Sequence, residues 1–590
     1  VPSLTRAVTG QIAFEGGVDG GRIPMLVSPA NPTGLKFNQL SWLVNGTVRG
    51  GGILPRTGWF SLAGDFAGDD TIYQGGIVYQ PDYGHPYIIF AAGGKVFRCN
   101  VQTDNSIQDI TNGCVLSATA TKFWFCQGEQ FLIIQDGINE PLVWEDSILR
   151  KISDMPGAGP PATMLQIGEA MGYYRGRLWV AQGREYLAGD IVMGASGTAL
   201  YGKRDAILHA TENTYLAGGG KFIVPTVSGN IRAMSETANL DTALGEGQLF
   251  IFTRNTIYAV DVPSKRTDWV ALSEPIQRVA QLRYGAVSDR SIVKVNGDLF
   301  YQSYDGVRSL FTAVRQFQNQ WGQTALSRSE NRILQFNDRA FASFSSGIEF
   351  DNRLLETALP IQTPVGVASQ AILPLDFDLI TSLSEKLPPV WEGHWEGLDV
   401  LQLLEGDWGG LQRAFAFIHS RVSHRIELWE LSQARKFEAD DVRNTMVIEF
   451  PAYHYDDPMQ LRELDNAELW IDRMNGTVDF RLFYRQDQNP CWIEWHAWSE
   501  CSARNTCEDV VNPICYPEQG YRSHCDEYRI TINIPRAPAA NDCDLGNGRP
   551  SNFGFTFQPK LEVHGWCRVR GLFLWSIKHD RPAYENLRNT

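Results

Sequence analysis

The chain is short of basic residues. Lys and Arg number 52 against 67 Asp and Glu, a formal net charge of −15. Phosphate binding needs clustered Lys and Arg, so this balance argues against a protein that grips DNA or an acidic membrane. It leaves open a surface past which DNA slides without sticking. Long apolar runs are missing too. The longest near the start is YIIFAA (87–92), far below a membrane span. The opening VPSLTRAVTGQIAFEGG holds no apolar core of signal-peptide length, so synthesis in a cytoplasm is expected. Helical periodicity is scarce. None of the ten cysteines forms a CxxC pair, which weakens any case for zinc.

What is present points to β structure. Gly 55, Trp 17, Tyr 20 and Phe 30 suit tight turns and pleated surfaces. A chain of 590 residues exceeds one ordinary core, so two or three domains are expected. Strand–turn–strand phrases recur at 87–100, 131–144, 177–187, 221–234, 248–260, 298–310, 339–350 and 413–431. Their starts lie about 40–50 residues apart, the pitch of four-stranded propeller blades. The expected fold is all-β: an N-terminal arm (1–64), a β-propeller-like body (65–440) with room for six to eight blades, and a C-terminal β-sandwich (441–590). A large sandwich or several small sheets is the alternative for the body. The stretch 351–411, punctuated by Pro388-Pro389 and several glycines, reads as an insertion or an irregular blade. MNGTVDF (474–480) reads as a hairpin with Asn475-Gly476 as its turn.

Seven cysteines crowd the last hundred residues. Cys491, Cys501, Cys507, Cys515, Cys525 and Cys543 are the disulfide candidates, with pairing left open. Seven is odd, so at least one lacks a partner within the group. Asp376, Asp378, Glu392 and Glu396 beside Trp391 and Trp395 form the best carboxylate set for glycoside hydrolysis. Loop acids and packed tryptophans are the plainer reading. His419, His424 and His454 (before Asp456-Asp457) are the metal candidates, but isolated histidines near hairpins are more often packed or exposed, and no metal or other cofactor is expected. Neither GxSxG nor a family-specific Cys motif occurs. The phrase NGTVRGGGILPRTG (45–58) is glycine-rich, yet Ile53 stands where a phosphate loop needs Lys, and no helix pattern follows. Its glycines are expected to let the backbone turn or approach a neighbour. Arg49 and Arg56 are expected to pair with carboxylates between segments or subunits; two exposed arginines is the alternative.

The stretch 16–59 resembles the opening of tail structural proteins from bacteriophages, with Asn45, Arg49, Gly51, Arg56 and Gly58 in a recurring phrase. GEGQLFIFTRNTIYAVDVP (245–263), VNGDLFYQSYDGVRSL (295–310), FDNRLL (350–355), LDFDLI (375–380), VWEGHWEGLDVLQL (390–403) and FGFTFQPKLEVHGWCRVRGLFL (553–574) resemble phage virion proteins as well. The nearest family is the tail nozzle, or tubular protein B, of short-tailed phages. The resemblance implies a propeller with a second β domain and a non-enzymatic role in the virion. It implies a homo-oligomeric, hexameric ring below a tail adaptor, with tail fibres docked and viral DNA leaving through the ring. A carbohydrate-active or carbohydrate-binding propeller is the alternative function.

Overall fold

The computed structural model describes residues 6–28, 31–63, 71–145, 147–156, 159–160, 163–191, 207–210, 222–238, 246–260, 277–310, 325–378, 380–382, 385–386, 389–432, 443–455, 460–501, 528–533 and 552–579. Five small antiparallel sheets follow one another, as the strand-and-turn phrases lead one to expect. The first holds Tyr73–Tyr79, Tyr87–Ala92, Lys95–Asn100 and Ser106–Asp109 in that lateral order. Gly93 and Gly94 take φ of 59° and 77°, the left-handed pair that a two-residue hairpin turn requires. The second runs from Trp124–Gly128 to Ile148–Lys151, the third from Met171–Tyr174 to Phe222–Ile223, the fourth from Ile231–Ala238 to Gln277–Arg283. The fifth has three strands, Val293–Val295, Asp298–Ser303 and Gly306–Ser309.

Alternate residues explain the ring. On Tyr87–Ala92, Ile89 and Ala91 join one core with Leu132 and Ile134 of the second blade. Ile88, Phe90 and Ala92 face the other way, into a core with Leu401, Phe415 and Phe417. Both faces of a blade are buried, so its strands are apolar on both sides. Further cores join blades two and three, three and four, and four and five. The body is thus a propeller of five blades, not the six to eight that sequence pitch allows. An eight-stranded sheet closes the circle, packing on blade five through Leu354, Ala371 and Leu373 and on blade one as above. Its strands include Arg353–Thr363, Gly366–Asp376, Trp395–Asp407, Gln412–His419 and Ile426–Leu431. The stretch 351–411, expected as an insertion or an irregular blade, is the middle of this closing sheet, which takes the place of a blade in the ring. Strands of up to 13 residues there break the blade pitch.

Two other phrases differ from expectation. KFIVPTVSGNIRAM spans two blades, since Phe222–Ile223 ends the third and Ile231–Ala238 begins the fourth. Residues 342–344 of the 339–350 phrase form a 3-10 turn before a single strand.

The C-terminal domain is one sheet folded into two layers by two long strands, Arg462–Gln486 and Phe557–Lys578. Leu464 and Leu469 from one end of the first share a core with Phe480 and Leu482 from its other end. Asn475-Gly476 is therefore not a hairpin turn. Positive φ at Arg473 (48°) and Gly476 (66°), with register shifts opposite Trp566, bends a strand that continues. The N-terminal arm supplies edge strands to both sheets: Arg6–Gln11 and Trp42–Val44 to the C-terminal one, Trp59–Ala63 to the closing one.

Side chains bridge the propeller's centre. The Lys122 ammonium, from the loop entering blade two, donates to Asp289, at the entry to blade five, and to the Ser343 carbonyl at 3.1 Å. Arg290 Nη2 donates to the Gln74 and Phe123 carbonyls at 2.7 and 3.2 Å.

Candidate functional site

The phrase at 45–58 forms a short hairpin, Gly46–Thr47 against Leu54–Pro55, whose tip lies between the closing sheet and the C-terminal domain. The tip needs glycine. Gly50 and Gly51 have φ of 95° and 72°, and a Cβ on Gly52 would stand 2.8 Å from the Val569 carbonyl oxygen.

Arg49 is the centre of the joint. Its Nε and Nη2 donate to Asp376 Oδ2 and Oδ1, both at 2.8 Å, a two-point fork on one carboxylate. Nη1 reaches Asp351 Oδ2 at 2.8 Å and Nη2 the Asp351 carbonyl at 3.0 Å. Arg353 completes the lattice, donating to Asp351 Oδ2 at 2.9 Å, Glu392 Oε2 at 3.2 Å and Thr47 Oγ1 at 3.0 Å. Glu392 Oε1 accepts from the Thr47 hydroxyl at 2.5 Å and the Val48 amide at 2.9 Å. Asp376 and Glu392 are fully buried. Burial pushes the Glu392 carboxyl up, Arg353 pulls it down, and Asp376 pushes it up again.

Arg56 is buried as well. Among the described residues it donates to Asn45 Oδ1 at 3.0 Å, the Thr57 carbonyl at 3.0 Å and the Glu396 carbonyl at 3.1 Å. Asn45, with φ of 52°, also accepts from the Glu396 amide at 2.8 Å and donates to the Thr445 carbonyl at 3.2 Å. On the far side of the tip, Arg568 holds Asp472 through two bonds of 2.7 and 2.6 Å and donates to the Gly50 carbonyl at 2.8 Å. Two cation–carboxylate groups therefore grip one hairpin from opposite sides.

The four carboxylates expected as a hydrolytic set are divided. Asp376 and Glu392 are spent on the arginines. Asp378 and Glu396 are exposed, and His394, the first influence on Glu396, holds its carboxyl below the usual range. Trp391 and Trp395 are buried, their indoles donating to the Leu326 and Gly46 carbonyls at 3.0 and 3.3 Å. Trp391 nonetheless lines an open cavity of about 1220 Å³, with Asp19, Arg22 and Asp298. The His419 and His424 rings lie tilted at 38° with centroids 6.1 Å apart, and His454 meets the Tyr455 carbonyl at 3.0 Å. Asp456 and Asp457 lie outside the described residues. Among the described residues, no group of three or more His, Cys, Asp or Glu is placed to hold a metal ion. Cys491 is disulfide-bonded, and its partner is not among the described side chains. Cys567, the seventh of the group, is a buried free thiol. Cys501 ends a strand, and Cys507, Cys515, Cys525 and Cys543 lie outside the described residues.

Sequence reasoning singled out Arg49 and Arg56 but not Arg353, Asp351, Asp472 or Arg568. The pairing of Arg49 with Asp376 spans 327 residues and leaves no local trace.

No protein-family model and no curated protein matches the chain. Solved structures do. The crystal structure of BBS1N in complex with ARL6DN aligns with a TM-score of 0.37 and 11% identity, covering 64% of this chain and 98% of that one. Sqt1 of Saccharomyces cerevisiae gives 0.32 and 10%, over 64% and 100%. PorZ, an essential bacterial surface component of the type-IX secretion system of Porphyromonas gingivalis, gives 0.31 and 11%, over 69% and 44%. All three are β-propeller proteins. So is the body of this chain. The likeness ends at the fold.

Proposed function

We propose that this chain is a non-enzymatic structural protein of a bacteriophage tail, of the nozzle type. The observation that carries the reading is where the family-like phrase goes. Asn45, Arg49, Gly51 and Arg56, which bear the resemblance, build the joint that fixes the propeller's closing sheet to the C-terminal domain. A part that withstands DNA leaving under pressure needs such a joint between its domains. In this reading DNA passes between copies, through the lumen of a homo-oligomeric ring. The net charge of −15 suits a wall that repels its cargo. The tail adaptor and fibres are the proposed partners, and the virion the proposed location.

Quantitative mass spectrometry of density-purified particles from the source culture tests this. A ring's worth of copies per genome supports the reading. Absence from particles, with the chain abundant in the lysate, overturns it.

A further inference from the structure

The entry loops of the propeller leave a second feature that the joint does not use. A cavity of about 210 Å³ lies where the innermost strands begin, lined by Thr121, Lys122, Glu169, Arg232 and Phe344 among others. Lys122 and Arg290 are tied to Asp289 and to backbone carbonyls, as above. Arg232, on the first strand of blade four, is not: its guanidinium makes no hydrogen bond or ion pair among the described residues. Glu169 lines the same space without reaching it. Lys122, Arg232 and Arg290 set against Asp289 and Glu169 leave one positive charge over, in a chain of net charge −15. Burial lowers the Lys122 ammonium to about 8; Asp289 opposes this, while Arg290 and Arg232 add to it. Positive charge is thus crowded at this end of the axis, and a bound anion relieves it.

We propose that this axial cavity binds one small oxyanion of the phosphate or carboxylate class, with the Arg232 guanidinium as its main ligand. Guanidinium geometry matches both groups through two parallel N–H donors. At about 210 Å³ the cavity is smaller than sites for drug-sized ligands, which start at about 300 Å³, and suits a small oxyanion. An anion here links blade four to the entries of blades two and five, and its binding therefore resists opening of the ring.

Thermal melts of the full chain, in inorganic phosphate titrated against chloride at constant ionic strength, test this. A ligand that binds only the folded form raises the melting temperature in a dose-dependent way. The rise is expected for the parent, and Arg232→Gln is expected to weaken binding at least tenfold without lowering the phosphate-free melting temperature. Identical curves in phosphate and chloride overturn the proposal, as does an undiminished rise in Arg232→Gln. An acetate arm separates the two sources: a rise in both anions assigns a general carboxylate and phosphate cradle, a rise in phosphate alone a phosphate site. If Arg232→Gln does not fold, phosphorus NMR of inorganic phosphate with the parent decides. Broadening that saturates supports the site, and an unchanged line overturns it.

Discussion

Arg49 and Asp376 show how an acid-rich chain employs its cations. Asp376 is fully buried, and two guanidiniums and the Asp378 amide face its carboxylate. Removing one partner strands a buried charge, which typically costs about 3–5 kcal/mol. Arg49→Met is expected to lose stability at the lower end of that range, because Arg353 remains. Arg49→Met combined with Asp376→Leu is expected to recover part of the loss. Denaturant unfolding of the three proteins measures this, and a loss below about 1 kcal/mol in the single variant contradicts a buried joint. Other acids are buried too. Among the described residues no hydrogen bond reaches either carboxylate oxygen of Glu356, and burial pushes Glu356 and Glu330 well above the usual range. Burial and the nearby Glu349 push Glu405 up to about 8. A carboxyl whose folded value is raised binds its proton more tightly folded than unfolded. Its stabilisation is complete below about 4.5 and is lost as pH climbs through the folded value. Lys122 works in the opposite direction, but only above about 8. Melting is therefore expected to be higher at pH 5 than at pH 8, with Glu356→Gln narrowing the difference. A flat profile, or an unchanged slope in the variant, refutes this.

Among the elements, the glycine turns carry the fit between segments. Gly393 has φ of 75°, and a Cβ there would stand 2.0 Å from the Leu43 carbonyl oxygen. The chain at 393–394 lies directly on the N-terminal strand, with the His394 amide donating to Leu43 at 3.1 Å. Gly393→Ala is expected to cost at least about 2 kcal/mol, from strain and lost pairing together; calorimetry reads it, and an unchanged melting temperature contradicts the fit. The same elements show what sequence reveals. Hairpins at 87–100 and 177–187 were legible because a glycine at positive φ joins two strands of one blade. The phrases at 221–234 and 474–480 carry the same turn residues but serve as a blade-to-blade link and a strand bend. Local chemistry specifies the turn, while the partner strand, distant in sequence, decides whether a hairpin results. For the same reason Arg49 and Asp376 are each singled out by sequence, but Asp376 as a hydrolytic acid and not as the partner of Arg49.

At the scale of the whole molecule, the first 63 residues tie the closing sheet and the C-terminal domain together through three edge strands. A chain begun at residue 71 is expected to be insoluble or aggregated, since both sheets then expose open edges. Recovery of a monodisperse product by size exclusion contradicts that dependence. Such interweaving ties the two sheets together, which suits the proposed wall around DNA. The most direct test of this assignment is gold-labelled antibody against the chain, applied to negatively stained particles from the source culture. The nozzle reading predicts gold at the distal end of a short tail. Gold on fibres or spikes, or particles left bare by an antibody that recognises the free protein, contradicts it.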